Sequence, residues 1–156
     1  MLKLNQRVRK KGNIMTQFKN AAVKSMVVMR KAFRTIDAKV SESFREFGLT
    51  PTQFGVLDVL FAKEGAMKIG ELIDSMLATS GNMTVVIKNM EKNGWVTRMT
   101  CPTDKRAYLV TLTEAGRDLI QKALPAHIVA VEETFSVLTE EEQEQLIELL
   151  KKFKNS

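Results

Sequence analysis

The chain has 156 residues, with 24 Lys and Arg against 18 Asp and Glu and a formal net charge of +6 at pH 7. Its 44% hydrophobic and 27% charged residues exclude a disordered or fibrous class and predict a folded globular protein. No apolar run approaches the roughly 18 residues that a membrane helix needs, and the single cysteine excludes an internal disulfide framework. We therefore expect a cytoplasmic protein without a membrane partner.

The positive charge is concentrated towards the N-terminus. Residues 1–47 carry 12 Lys and Arg against 3 Asp and Glu, whereas residues 118–156 carry 4 against 8. Residues 1–16 have no sustained apolar period and are predicted to be a basic, disordered arm; a solvated tail and a groove-binding arm both fit this pattern. The asymmetry suits a polyanionic partner, although solvated basic helices show it as well.

A long amphipathic helix is predicted next, because apolar residues recur every three or four positions up to a stop at Gly48. These apolar positions are Phe18, Ala22, Met26, Met29, Phe33, Ile36, Val40, Phe44 and Phe47. One small domain cannot bury the whole stripe of such a helix. We therefore assign residues 17–48 to a dimerisation region, in which part of the stripe contacts another subunit.

The next helix has a strong start signal. Thr50 and Gln53 have the spacing of a capping box, and Pro51 occupies the first helical position. This combination predicts a helix from Pro51 to about Ala62.

Two short amphipathic segments then follow, separated by a polar turn at residues 77–81. Their apolar positions are spaced i, i+3, i+4 and i+7, and are Ile69, Leu72, Ile73 and Met76 in the first, and Met83, Val86, Ile87 and Met90 in the second. Two short helices joined by a tight polar turn predict a helix-turn-helix. Thr79 or Ser80 is expected to cap the second helix, and Asn93 with Gly94 to end it.

The segment after Gly94 predicts a β-hairpin with a protruding tip. Residues 95–99 and 107–112 are rich in β-branched and aromatic residues and flank a polar connection containing Pro and Asp. A helix is then expected from Thr113, kinked or broken at Pro125, and a last one from the capping box at Thr139. Residues 50–113 thus form a winged helix-turn-helix, and residues 114–156 join 17–48 in the dimerisation region.

The second helix of a helix-turn-helix enters the major groove of DNA, so its outward residues are the candidates for reading bases. After the core positions are subtracted, they are Thr79, Ser80, Asn82, Thr84, Val85 and Lys88. Asn pairs with adenine, Ser, Thr and Lys reach phosphates or base acceptors, and Val contacts a thymine methyl. An ordinary solvated helix surface would have the same composition.

The hairpin tip adds a second candidate contact. Lys105 and Arg106 provide two cations, and Asp104 is expected to hold the Arg106 guanidinium through a bidentate pair. Arginine is favoured in the minor groove by its negative potential. We include Arg98 on the first strand in the same DNA-binding set; the alternative for the tip is a generic polar turn.

These residues resemble the MarR family of bacterial transcriptional regulators from about Phe18 to Phe153. The most specific stretch runs from Gly94 through Asp104-Lys105-Arg106-Ala107 to Leu112-Thr113-Glu114-Ala115-Gly116. The resemblance implies a homodimer joined through its first and last helices, a recognition helix at about Ser80 to Asn93, and Arg106 as the minor-groove residue. It also implies release from DNA by a small molecule or an oxidant. The chain departs from the family at Cys101, where Asp is common, and at Val85, where Arg is common.

Two other residues are candidates for reactive or metal-binding groups. Cys101 is a candidate redox residue, expected to be exposed at the hairpin tip with its pKa lowered by Arg98, Lys105 and Arg106; the chain contains no second cysteine to resolve a sulfenate. His127, the only histidine, is expected to be packed or solvated rather than bound to a metal.

The sequence thus predicts a mainly α protein with a small β-hairpin wing, in which a winged helix-turn-helix is flanked by N- and C-terminal dimerisation helices. No nucleophile motif, phosphate-binding glycine loop or H-E-x-x-H motif occurs, so we expect neither catalytic activity nor a cofactor. The predicted function is repression of transcription by binding an inverted repeat in double-stranded DNA. The alternative is an architectural or protein-interaction module without effector control.

Overall fold

A computed structural model describes residues 20–76 and 82–153, which form helices and one small sheet. The elements in chain order are α1 (Ala21–Arg45), α2 (Pro51–Lys63), β1 (Met67–Lys68), α3 (Ile69–Ser75), α4 (Met83–Lys92), β2 (Val96–Thr100), β3 (Tyr108–Leu112), α5 (Glu114–Phe135) and α6 (Glu140–Lys151). The predicted fold class, mainly α with a β-hairpin wing, is confirmed. The predicted basic arm, Phe18, Thr79 and Ser80 lie outside the described residues.

Local capping signals set most of the helix ends. The Thr50 hydroxyl accepts the backbone N–H of Gln53 at 3.2 Å, and the Gln53 side chain accepts the N–H of Thr50 at 3.0 Å, as the capping box predicted. The equivalent pair starts α6, where Thr139 and Glu142 cap each other. Gly48 has φ +73° just after α1, a left-handed conformation that suits glycine.

The predicted cap of α4 is wrong, and of the two outcomes predicted at Pro125, a kink or a break, the break is excluded. The cap of α4 is Asn82, whose side chain accepts the N–H of Val85 at 3.4 Å, rather than Thr79 or Ser80. Pro125 does not break the helix that contains it, since α5 continues to Phe135. Buried Ile120 and Ala123 precede the proline, and His127 after it packs on the Phe54 ring, so tertiary contacts hold both sides of α5 despite the lost backbone donor.

The sheet has the strand order β1-β3-β2, with both pairs antiparallel. Val96 pairs with Leu112 and Thr100 with Tyr108, so β2 and β3 form the predicted hairpin. The two-residue strand β1 was not predicted, because a segment this short has no detectable period. It attaches the hairpin to the start of the helix-turn-helix through the pairing of Met67 with Val110.

The described residues fall into two compact units, divided between Lys39 and Val40, so that α1 runs through the boundary. The hydrophobic core belongs to the second unit; its fully buried members come from α2, α3, α4, the hairpin and α5, and include Val56, Leu57, Leu72, Ile87, Met90, Val110 and Ile120. In the first unit, α1 exposes Met26, Val28, Met29 and Phe33. None of the helices in the described part of the chain has the length and hydropathy of a membrane span.

Candidate nucleic-acid interface

Helix α4 presents a polar outer surface because its apolar side is fixed in the core. Met83, Ile87 and Met90, spaced by four and three residues, are at most 3% exposed. The helix period then directs the intervening positions outwards. The predicted contact residues in the described part of this helix and its cap are all exposed, and they are Asn82, Thr84, Val85 and Lys88.

Backbone hydrogen bonds fix the C-terminal end of α4 to the hairpin. The N–H of Trp95 donates to the Met90 carbonyl and that of Gly94 to the Glu91 carbonyl, both at 3.0 Å, which is a Schellman motif with Gly94 at φ +72°. The Thr113 hydroxyl donates to the Gly94 carbonyl at 2.6 Å. Helix α4, the hairpin base and the start of α5 therefore meet at one hydrogen-bonded, rigid junction.

The hairpin tip exposes its cations fully. The Arg106 side chain is 97% exposed, and its Nε lies 3.9 Å from Oδ1 of Asp104. The predicted bidentate pair is therefore wrong: the same Oδ1 instead accepts the backbone N–H of Arg106 at 3.0 Å, and the Asp104 carbonyl accepts the N–H of Ala107 at 2.9 Å. Asp104 shapes the turn, as Asp side chains commonly do, and leaves the Arg106 guanidinium available to a ligand.

Cys101 is buried, contrary to the prediction that it is exposed. Only 4% of its surface is accessible, although it is not part of the core cluster. Its Sγ lies 3.2 Å from the Thr103 hydroxyl oxygen. Hydrogen bonds from that hydroxyl and from the backbone N–H groups of Thr103 and Asp104 lower the pKa of the thiol, with a smaller contribution from the charge of Lys68. Arg98, Lys105 and Arg106, which the sequence suggested, are not among the causes.

Arg98 has two partners that the sequence analysis missed. Its Nε donates to Oε2 of Glu91 on α4 at 2.9 Å, and its guanidinium carbon lies 5.2 Å from the centre of the Tyr108 ring on β3. The side chain is only 22% exposed. Only the alternation of side chains along the hairpin strands could have indicated the contact with Tyr108, because it places Arg98 and Tyr108 on the same side of the sheet.

His127 is packed, which is one of the two outcomes that the sequence left open. Its ring centre lies 4.5 Å from that of Phe54 and 5.5 Å from that of Phe44, and its Nδ1 is 3.2 Å from the Ser43 hydroxyl oxygen. Burial lowers the pKa of His127, opposed by the nearby Asp58, and burial raises the pKa of Asp58. The neutral imidazole is therefore the favoured form at neutral pH. Within residues 20–76 and 82–153, no cluster of three or more His, Cys, Asp and Glu could hold a metal ion.

Comparison with known proteins gives a consistent picture. Residues 49–108 match the MarR family. The chain is 37% identical over 125 residues to the uncharacterized HTH-type transcriptional regulator YkoM of Bacillus subtilis, covering 80% of each chain. It is 34% identical over 131 residues to the HTH-type transcriptional regulator MhqR of the same organism, covering 84% of this chain and 90% of the relative. Sco3205, a MarR family transcriptional regulator from Streptomyces coelicolor solved in complex with DNA, matches at a TM-score of 0.75 and 26% identity, over 86% of this chain and 90% of that one.

Proposed function

Since this chain belongs to the MarR family of transcriptional regulators, we propose that it is a cytoplasmic repressor. It binds an inverted repeat as a homodimer and is released by a small molecule or an oxidant. The observation that carries the proposal is an exposed polar surface on α4 joined through a rigid junction to a hairpin whose Arg106 is 97% exposed. Its action is occupancy of a promoter rather than catalysis.

In this proposal α4 enters the major groove and the hairpin tip reaches the adjacent minor groove. Asn82, Thr84, Val85 and Lys88 face the major groove, together with Thr79 and Ser80 of the preceding turn. Lys105 and Arg106 supply the positive charge at the tip. Asn82 already uses its side-chain oxygen to cap α4, so it offers its NH₂ group to DNA while that cap persists.

Large apolar side chains that are exposed to solvent on the helices of one chain support the homodimer. In the first unit these are the α1 residues named above. In the second unit, α5, α6 and their flanking residues expose Ile128, Val129, Val137, Ile147, Leu149, Leu150 and Phe153. Large exposed apolar patches on soluble proteins mark interaction sites, and a second subunit would cover these side chains. A two-fold dimer then reads two half-sites roughly 10 bp apart.

The decisive experiment is selection of a binding sequence from a random duplex pool, followed by fluorescence anisotropy on the selected and a scrambled duplex at equal salt. We expect an inverted repeat bound at least about 10³-fold more tightly than the scrambled duplex, by a species whose mass in light scattering is that of two chains. Little preference between the two duplexes would favour the architectural alternative. Absence of binding to either would remove DNA as the partner.

The oxidant branch of the proposal depends on Cys101. The hydrogen bonds that lower the pKa of its thiol favour the reactive thiolate. Conversion to a sulfenic acid would add an oxygen atom at a buried position, next to Thr103. We expect peroxide to weaken binding to the selected duplex, measured by anisotropy before and after treatment, and Cys101→Ser to abolish this response while leaving affinity without oxidant unchanged. An equal response of the Ser variant would exclude the thiol as the sensor.

A further inference from the structure

A mixed polar contact joins the hairpin to the recognition helix at the point where the hairpin leaves the core. The Nε of Arg98 lies 2.9 Å from the carboxylate oxygen Oε2 of Glu91, near the end of α4. The guanidinium carbon of Arg98 lies 5.2 Å from the centre of the Tyr108 ring. Glu91 is 36% exposed and Arg98 22% exposed at their side chains. This pair is therefore better shielded from solvent than Lys151 and Glu148 on α6, whose side chains are 62% and 70% exposed.

The register of the hairpin explains this position. Arg98 is opposite Val110 on β3, and Val96 is opposite Leu112, so Val96, Arg98 and Val110 share one side of the sheet. Val96 and Val110 are at most 1% exposed and fix the base of the hairpin in the core. Beyond Arg98, Met99 pairs with Leu109 and Thr100 with Tyr108, and the Cys101 N–H donates to the Ala107 carbonyl at 2.9 Å. The ion pair with Glu91 thus ties Arg98, two residues before the end of β2, to α4.

We propose that Arg98 is a positioning residue, which sets the direction of the hairpin relative to α4 through Glu91 and Tyr108 and does not itself bind DNA. This inference rests on the proposed DNA interface. The direction of the hairpin is important because the tip lies well beyond Arg98. The two residues of β2 that follow Arg98 alone extend about 7 Å. A small change in the angle of the hairpin at Arg98 therefore becomes a larger displacement of Arg106. The tip and α4 must reach adjacent grooves of DNA at the same time, so this displacement would lower the affinity for DNA.

The sign of the effect of Glu91→Ala separates positioning from direct contact. If Arg98 bound a phosphate, removing the neighbouring carboxylate would reduce repulsion from DNA and free the guanidinium, so affinity would rise or stay constant. If Arg98 positions the hairpin, Glu91→Ala removes its anchor and affinity falls. We expect Glu91→Ala and Arg98→Ala each to weaken binding to the selected duplex about five- to tenfold, and the double variant to be no weaker than the single ones.

A second double-mutant cycle tests whether the effect acts through the tip. When Arg106 is already alanine, adding Arg98→Ala should reduce the affinity for the selected duplex little further. The reason is that the DNA contact of the Arg106 side chain, which a misdirected hairpin would lose, is already absent. A general loss of fold stability would instead remain additive. Arg117→Ala is the matched control: Arg117 also lies over a ring, with its guanidinium carbon 5.6 Å from the centre of Phe61, but it belongs to α5. Its effect should be small and independent of Arg106.

The inference is overturned if Glu91→Ala binds as tightly as the unaltered protein or more tightly, or if the losses from Arg98→Ala and Arg106→Ala add. Thermal melting shows whether each variant is folded. Stoichiometric titration gives the active fraction of each variant, by which the measured affinities are corrected. Failure of the unaltered protein to bind any duplex would instead contradict the proposed function, so the two failures are distinguishable.

Discussion

Replacing Arg106 with alanine is expected to weaken binding to the selected duplex by about ten- to a hundredfold and to make the dependence of affinity on salt shallower. The side chain is 97% exposed, and its nearest carboxylate oxygen is 3.9 Å away, so the substitution removes no packing from the protein. The hydrogen bond that shapes the tip uses the Arg106 backbone N–H and survives the change. The loss of affinity should therefore come from the DNA contact itself.

Anisotropy titrations at several salt concentrations measure both quantities. Each protomer of a dimer loses one cation, so the slope of log K against log salt should decrease by roughly two. Arg106→Lys is the matched control, because it keeps the charge and loses the planar guanidinium; we expect its salt slope to match that of the unaltered protein and its affinity to be intermediate. An Arg106→Ala variant with unchanged affinity and slope would place this residue outside the interface.

Replacing Gly116 with alanine is expected to destabilise the fold by at least about 3 kcal/mol, a large loss for a single substitution. Gly116 is in the first turn of α5, where its N–H donates to the Thr113 hydroxyl at 3.0 Å. An added Cβ would overlap the carbonyl oxygen of Trp95 and lie 2.9 Å from its carbonyl carbon. Because both obstacles are backbone atoms of the junction between α4 and the hairpin, no side-chain rotation relieves the overlap.

Chemical denaturation followed by far-UV circular dichroism measures this loss. Gly70→Ala is the matched control, since Gly70 is also near the start of a helix and has nothing within 4 Å of an added Cβ. Alanine there should be neutral or stabilise by up to about 1 kcal/mol. Equal stabilities of the two variants would show that α5 can move away from Trp95, and the rigid junction inferred here would then be wrong.

The sequence predicted the parts of the fold that depend on local patterns. Apolar spacing located α2, α3 and α4, and the capping boxes at Thr50 and Thr139 marked helix starts that the structure confirms. The resemblance to the MarR family included Gly116 but did not explain why a glycine stands there. The structure explains it, because the carbonyl of Trp95 occupies the space that a side chain at position 116 would need. The correct predictions share one property, which is that neighbours within about one helical turn or one strand pair determine them.

What the sequence alone determined is therefore the order and type of the helices and of the two hairpin strands, and the polar surface of α4. Tertiary structure decided how individual polar side chains are used: Cys101 is buried, and Arg98 is paired with Glu91 and Tyr108. The physical reason is that helix and strand periods specify which side of an element a residue occupies. Burial and ion pairing depend instead on which other element packs against that side, and only the folded chain brings α4 and the hairpin together.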